Sequence, residues 1–217
     1  MSASDAPVPP LTRLDLGHYE ASRAGALSGV PERALYQWAG VGLVVPSVSV
    51  TRQNLWSYGD LLTLRLVRWL RAPEADLETA RTKIGEIRHA LEKLGPDLWA
   101  VEADGLASST ILVTRSGDIV LDRPPRQDVD GQALLDIVDL FAPFERGPDL
   151  RRPRPHLRII PGKVAGEPHL AGSRLTTRAV AALAARGLPF DDIAALYPHE
   201  EPDGLREALD LEAQLAA

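Results

Sequence analysis

The chain has 217 residues with 24 basic and 30 acidic side chains, and its formal net charge is −6. It contains no cysteine, which excludes disulfides, zinc–thiolate sites and thiol catalysis and suits a reducing cytoplasm. No apolar run reaches the ~18–20 residues that a membrane-spanning helix needs, and residues 1–10 lack the basic and apolar regions of a signal peptide. We therefore expect a cytoplasmic protein without a membrane segment.

The charge is unevenly distributed along the chain. Residues 1–72 carry seven arginines and five acidic residues (net +2), and residues 73–147 carry eight basic and fifteen acidic residues (net −7). Residues 148–217 carry nine basic and ten acidic residues (net −1). A basic first segment suits contact with nucleic-acid phosphates. Because its excess is small, we expect modest affinity per subunit and binding by a dimer or a higher even oligomer.

The first segment predicts a helix-turn-helix. A helix from Glu20 to Ala26 leads into a tight turn at Ser28 and Gly29, and Pro31 begins a second helix at a position that needs no backbone donor. The second helix would lie in a major groove of DNA. Three apolar side chains are expected to close the angle between the helices: Val30, Leu35 and Trp38.

A short hairpin and a long helix are predicted next. Residues 44–52 alternate β-branched and small residues, as a hairpin does. Ser57 precedes Asp60 by three residues, which resembles a capping box with aspartate in place of glutamate. The helix that it opens, Tyr58 to Leu70, is apolar on most of its circumference and is therefore expected to be buried.

The order of these features resembles the winged-helix domain of MerR-type regulators. It consists of two helices around a Gly-Val turn, Gly-x-Gly-Leu at residues 40–43, a wing with an arginine, and aromatic-Ser-x-x-Asp-Leu opening a long helix. The resemblance implies a DNA-binding domain over residues 12–72, although MerR proteins usually have arginine at the position of Tyr36. The predicted DNA contacts are Arg23, Arg33, Tyr36, Gln37, Arg52 and Tyr58.

The second helix carries the side chains suited to reading bases. Gln37 could hydrogen-bond an adenine through its amide, and Arg33 could reach a guanine or a phosphate. The alternative for Arg33 is an exposed salt bridge with Glu32 or another acid. Trp38 is expected in the core rather than on a base.

Residues 73–146 predict a small α+β unit, with no evident chemistry. A surface helix is indicated by apolar residues at helical spacing between Leu77 and Leu94. Three short strands are indicated at residues 98–101, 110–114 and 119–121, and a helix from Gln132 to Phe141. Residues 147–156 contain three prolines and three arginines and predict a stiff, extended linker. Its arginines could follow a phosphate backbone, or the segment could be a solvated linker.

The last segment, residues 157–217, predicts a strand at 157–160 followed by three helices. Gly166 and Gly172 permit positive φ on either side of Pro168. Thr176 or Thr177 caps a helix that ends near Arg186-Gly187. Further helices are indicated from about 189 to 196 and from about 202 to 215, the last with Glu212 among its apolar positions.

This segment resembles a three-helix domain, formerly of unknown function, that occurs in VapB-type antitoxins. The resemblance is carried by Pro161, by Gly166-x-Pro168, by residues 172–175 (Gly-Ser-Arg-Leu), by residues 187–193 (Gly-Leu-Pro-Phe-Asp-Asp-Ile) and by residues 196–198 (Leu-Tyr-Pro). It implies an antitoxin whose partner is a PIN-like ribonuclease toxin. The predicted toxin-binding residues are His169, Ser173 and Arg174, on a rigid arm that presents Arg174.

Three kinds of chemistry are weaker interpretations of the sequence. The stretch from Gly166 to Arg174 could form a phosphate-binding loop, but its prolines remove backbone donors and no Gly-Lys-Ser/Thr follows. The five histidines show no metal-ligand spacing, and no Ser, His and Asp arrangement has motif context. We expect no cofactor, no metal and no enzymatic activity.

The sequence thus predicts a mainly α-helical protein with a small β component (α+β). It has a MerR-like winged head, a middle α+β unit and a C-terminal helical domain. The expected function is that of a type II antitoxin that binds its own operator DNA and neutralises a ribonuclease toxin. Two alternatives stay open: a MerR-like regulator that binds a small effector in its middle domain, and a second DNA reader at residues 177–196 with Arg178 and Arg186 exposed.

Overall fold

A computed structural model describes residues 16–50, 54–70, 110–113, 119–122, 133–136 and 141–217. This part of the chain is mainly α-helical with small antiparallel sheets, which confirms the expected α+β class. None of the described helices is both long and apolar enough to cross a membrane.

The N-terminal unit is built from two short strands and three helices. Its elements are β1 (Tyr19–Glu20), α1 (Ala21–Ser28), α2 (Glu32–Gly40), β2 (Leu55–Trp56) and α3 (Tyr58–Leu70). The two strands pair antiparallel, with Tyr19 opposite Trp56. The strands therefore tie the start of α1 to the start of α3.

The turn between α1 and α2 depends on a glycine. Gly29 has φ 78°, a left-handed conformation, and a Cβ there would lie 2.3 Å from the carbonyl oxygen of Phe144. Pro31 follows as the residue that caps α2, one position before the helix begins. The two predicted helices and the turn between them are therefore present, with their ends within two residues of the expected positions.

The capping box at the start of α3 is confirmed. The Ser57 amide donates to the Asp60 carboxylate at 2.9 Å, and the Asp60 amide donates to Ser57 Oγ at 3.2 Å. The same carboxylate also accepts from the amide and the hydroxyl of Ser47, at 2.9 and 2.7 Å. This single carboxylate therefore anchors both the start of α3 and the chain at Ser47.

An isolated antiparallel bridge links Ser49, within the predicted hairpin, to Leu55 beyond it. The amide of Leu55 donates to the Ser49 carbonyl at 2.9 Å, and the amide of Ser49 donates back at 3.3 Å. Residues 51–53, which include Arg52, lie outside the described residues.

One apolar core holds the N-terminal unit together. Leu27, Leu35 and Trp56 are fully buried, and Val30 and Trp38 are 1% and 5% exposed. α3 is buried along its described length up to Val67, as its apolar circumference predicted. The three residues expected to close the angle between α1 and α2 therefore do so.

The middle segment contributes a three-stranded antiparallel sheet. Its strands are β3 (Thr110–Val113), β4 (Ile119–Asp122) and β5 (Ala133–Asp136), in the order β4-β3-β5. The strands at 110 and 119 confirm the prediction, whereas the helix predicted from residue 132 is wrong over β5. A short apolar run fits a helix or a buried strand equally well, and pairing with β3 decides for the strand. The helix predicted at 77–94 and the strand at 98–101 lie outside the described residues.

Residues 147–155 are packed rather than extended into solvent. Leu150 is fully buried, its amide donates to the Phe141 carbonyl at 2.7 Å, and its carbonyl accepts the Tyr58 hydroxyl at 2.9 Å. The prediction of a solvated linker was wrong because Pro and Arg composition conceals one buried leucine. This segment fastens the C-terminal unit to α3.

The C-terminal unit is a two-stranded sheet packed against three helices. It comprises β6 (Leu157–Arg158), a 3₁₀ turn (Val164–Gly166), β7 (His169–Leu170), α4 (Thr177–Ala185), α5 (Phe190–Leu196) and α6 (Pro202–Ala216). Thr176 caps α4, since its Oγ1 accepts from the Ala179 amide at 3.2 Å. A second core of fully or nearly fully buried residues fills this unit: Leu157, Leu170, Val180, Ile193, Leu205, Ala208 and Leu211.

Candidate functional site

The outer face of α2 presents three of the predicted DNA contacts. Arg33, Tyr36 and Gln37 are all exposed, and they follow one another at helical spacing on the side opposite the buried Leu35 and Trp38. Tyr36 is 53% exposed, which is unusual for a large aromatic side chain. α2 thus has one face packed on the core and one exposed face.

Two of these polar side chains are unengaged. Among the described residues, neither the Arg33 side chain nor the Gln37 side chain makes a hydrogen bond or an ion pair, and the alternative pairing of Arg33 with Glu32 does not form. Their donors are therefore available to an external ligand.

Arg23 is not available, which corrects the prediction that it contacts DNA. It is 7% exposed, and its guanidinium lies between two carboxylates of the C-terminal unit. Nε and Nη2 donate to Glu167 at 3.0 and 2.7 Å, and Nη1 and Nη2 donate to Glu212 at 2.9 and 2.7 Å. We call this group of three residues the carboxylate clamp.

The charges of the clamp favour the ionised arginine. Burial by itself would lower the pKa of Arg23, but the hydrogen bond to Glu212 and the charges of Glu167 and Glu212 outweigh burial and raise that pKa. The Thr177 hydroxyl also donates to Glu212, and Arg178 lies 3.6 Å from Glu167. The sequence held one hint of the clamp, because Glu212 falls among the apolar positions of α6.

Tyr58 is also unavailable to DNA, which corrects a second prediction. It is fully buried, and its hydroxyl donates to the carbonyl of Leu150. Burial and pairing of arginines also leave less positive charge on the surface of the N-terminal unit than its sequence suggested. Of the four described arginines in residues 1–72, Arg23 and Arg65 are buried and Arg68 pairs with Glu145 at 3.0 Å.

A second exposed feature is the loop between β7 and α4. Gly172 has φ 81° with open space around its Cα, and Arg174 beyond it is exposed. Ser173 is half-buried, and its Oγ accepts from the Leu175 amide at 3.1 Å. The chain therefore presents Arg174 in a compact turn.

His169 lies beneath this loop rather than on it. It is fully buried, Nδ1 lies 2.9 Å from the Glu167 carbonyl oxygen, and Nε2 has no hydrogen-bond partner among the described residues. Burial lowers the pKa of His169 against the opposing hydrogen bond to the Glu167 backbone, and the charges of Lys163, Arg158 and Arg174 lower this pKa further. The prediction that His169 contacts a partner directly is therefore corrected.

Sequence reasoning missed Lys163, which lies close to Arg174. Burial and the charge of Arg174 lower the pKa of Lys163, whereas Glu200 raises it. Among the described residues, the side chains of Lys163 and Arg174 form no ion pair. The two cations form a basic patch beside the turn.

The loop does not have the form of a phosphate cradle. The amides of Gly166 and Glu167 donate to the carbonyls of Lys163 and Val164, and the Ser173 amide donates to the Leu170 carbonyl. Amides spent within the loop cannot converge on an anion. Within the described part of the chain, no three histidine or acidic side chains come together in a group that could hold a metal ion.

A small cavity lies between the two units. Its volume is about 180 Å³, and it is lined by Ser22, Arg23, Ala26, Arg178, Glu212, Leu215 and Ala216. Ligand pockets usually measure about 300–1,000 Å³. This cavity is therefore a gap beside the clamp.

The C-terminal unit is similar to a known protein family. Residues 158–211, which span β6 to α6, match the family model described as "Protein of unknown function (DUF433)". The chain is similar to the X-ray crystal structure of Rv2018 from Mycobacterium tuberculosis, with a TM-score of 0.48 and 19% sequence identity over 93% of this chain and 98% of that chain. No curated protein matches the chain significantly.

Proposed function

We propose that this protein is an antitoxin-type transcriptional repressor, with a MerR-like winged helix that reads operator DNA and a C-terminal domain of the VapB-antitoxin type. The observation that carries the proposal is the outer face of α2, where Arg33, Tyr36 and Gln37 are exposed together. A helix of this kind, packed on its inner face and polar on its outer face, suits insertion into a major groove.

Recognition would combine base and backbone contacts. The amide of Gln37 can bond the N6 and N7 positions of adenine, and the guanidinium of Arg33 can bond the O6 and N7 positions of guanine. One small unit with a low surface charge binds DNA weakly, because phosphate contacts supply most of the affinity. A two-fold dimer that reads half-sites ~34–36 Å apart would double the contacts.

The second activity proposed is neutralisation of a PIN-like ribonuclease toxin in the cytoplasm. The exposed Arg174, with Ser173 beside it and Lys163 close by, suits an acidic surface on the partner. The acidic middle segment, with its net charge of −7 over residues 73–147, suits a basic RNA groove. The chain itself is proposed to have no catalytic role.

A gel-shift assay on the DNA upstream of the chain's own reading frame tests the first activity. The double variant Arg33→Ala, Gln37→Ala should bind at least ~30-fold more weakly, because each base contact contributes about 1–3 kcal/mol. Arg186→Ala is the matched control, since Arg186 is also exposed but lies at the end of α4. Unchanged affinity of the double variant would refute the proposed DNA surface, and a loss with Arg186→Ala would favour a C-terminal reader.

Co-expression with the product of the adjacent reading frame tests the second activity. A stable complex that suppresses ribonuclease activity supports an antitoxin. A chain that binds the operator but not that product would instead be a stand-alone regulator.

A further inference from the structure

Residues 161–168, which we call the switch loop, are held from outside their own unit. The Tyr19 hydroxyl donates to the Gly166 carbonyl at 2.8 Å in a buried bond, and the His18 amide donates to the Ala165 carbonyl at 3.0 Å. Arg23 holds the Glu167 side chain in the clamp. All three contacts come from the start of the N-terminal unit, where β1 leads into α1.

The backbone that these contacts hold is strained. Val164 and Ala165 have φ of 44° and 57°, in the left-handed region that residues with a Cβ avoid. Two such residues in succession, one of them β-branched, are unfavourable and persist only where the surroundings determine the conformation. Here those surroundings include another unit of the protein.

Gly166, which follows the two strained residues, packs closely against Tyr19. Gly166 has φ 82°, and a Cβ at that position would lie 2.2 Å from the Tyr19 hydroxyl oxygen. The switch loop is therefore packed directly against Tyr19. It continues through Pro168 into β7 and then into the turn that presents Arg174.

We propose that the switch loop is a conformational linkage between the DNA-reading unit and the Arg174 surface. The N-terminal unit keeps the loop in its strained form, and this form fixes the start of β7 and the turn beyond it. A partner that binds the turn and relaxes the loop would loosen the contacts to Tyr19 and Arg23. If the partner thereby changes the affinity for DNA, bound DNA must change the affinity of the turn for the partner by the same factor, because coupling between two binding sites is reciprocal. This linkage rests on the proposed function, but the hold on the loop does not.

Hydrogen exchange of the full-length protein tests, without any ligand, whether Tyr19 stabilises the switch loop. The reporters are the amides of Gly166 and Glu167, which bond within the loop at 2.9 and 3.1 Å. In Tyr19→Phe, which loses a single buried hydroxyl, these amides should exchange about tenfold faster. Tyr58→Phe is the matched control, because it also loses one buried hydroxyl bonded to a backbone carbonyl, at 2.9 Å, but that carbonyl belongs to Leu150 and not to the loop.

The two variants are expected to differ in the exchange rates of the Gly166 and Glu167 amides. Faster exchange in Tyr19→Phe with wild-type exchange in Tyr58→Phe supports the hold. Equal exchange rates in the two variants would overturn it, because general loosening affects both. The Val180 amide in α4 serves as the internal reference and should not change.

A second arm adds the upstream DNA duplex used in the gel-shift assay. Bound DNA should slow exchange at Gly166 and Glu167 in the wild type by about fivefold or more, the lower range of measured couplings. Bound DNA with no effect on these amides would overturn the linkage while leaving the proposed function intact. If the duplex does not bind at all, the DNA-reading function and the linkage both fail, and the arm without DNA still decides whether Tyr19 holds the loop.

Discussion

Two buried arginines attach the N-terminal unit to the rest of the chain, and their surroundings differ in kind. Arg23 on α1 is held by two carboxylates of the C-terminal unit. Arg65 on α3 is 1% exposed. It donates to backbone carbonyl oxygens at the end of α1 and in residues 141–148, and so joins these two parts of the chain. Those acceptors are Leu27, Ser28, Phe141, Ala142 and Pro148, which we call the carbonyl cage.

The difference appears in the direction of each pKa. Burial lowers the pKa of Arg65 to about 10, against the attraction of Tyr58 and Asp149, whereas the carboxylates of the clamp raise the pKa of Arg23. Carbonyl dipoles thus hold a charge that burial disfavours, because the guanidinium supplies five donors in a fixed geometry. The carbonyl cage thus surrounds Arg65 with neutral acceptors, whereas the clamp pairs Arg23 with charged, partly exposed carboxylates.

Removing the cage is expected to have the largest effect. Arg65→Met leaves several buried carbonyls without a donor, each costing about 1–3 kcal/mol, so the free energy of unfolding should fall by about 4 kcal/mol or more. Urea unfolding measures this. Arg68→Met on the same helix is the control, because the Arg68–Glu145 pair is 46% and 41% exposed and should contribute under ~1 kcal/mol. Similar losses for the two variants would contradict the cage.

Removing the clamp is expected to cost less. Arg23→Met should lower the free energy of unfolding by about 3 kcal/mol, since it leaves two carboxylates buried without their main partner. The loss stays smaller than for Arg65 because Glu167 and Glu212 are still 15% and 14% exposed and keep Arg178 and Thr177 as neighbours.

Two further variants sharpen the test of the clamp. Adding Glu167→Gln and Glu212→Gln to Arg23→Met should recover part of the loss, because neutral amides are less costly to bury than carboxylates. Arg154→Met, which breaks a 2.7 Å pair with the 68% exposed Asp210, is the surface control and should cost under ~1 kcal/mol. A triple variant less stable than Arg23→Met would contradict the electrostatic account.

The strain beside the clamp should give the smallest effect, and one of opposite sign. Ala165→Gly should raise the free energy of unfolding by up to ~1 kcal/mol, because relief of the left-handed strain exceeds the entropy that glycine adds to the unfolded chain. Ala171→Gly is the matched control, since Ala171 is also exposed but has no positive φ, and it should lower stability slightly. A loss at both positions would mean that residue 165 stores no strain.

Local signals in the sequence predicted the parts of the fold that neighbours along the chain decide. The Ser57–Asp60 capping box and the Thr176 cap form as expected, since their donors and acceptors lie within three residues. The outer face of α2 also followed from helical spacing around Leu35 and Trp38. β5 was missed because its strand exists through pairing with β3, which no local pattern specifies.

The amino-acid sequence by itself determined the ends of helices α1 to α6 to within a few residues, which faces of α2 and α3 are apolar, and the left-handed backbone at Gly166 and Gly172. Each of these depends on steric and hydrogen-bonding preferences over a few residues. The tertiary structure alone decided the fate of the charged and polar side chains. Arg23 was expected on DNA and Tyr58 beside it, yet both are buried by partners 92 or more residues away. Whether a cation meets solvent, a carboxylate or a carbonyl depends on groups brought together by folding, and those groups leave no periodic trace in the sequence.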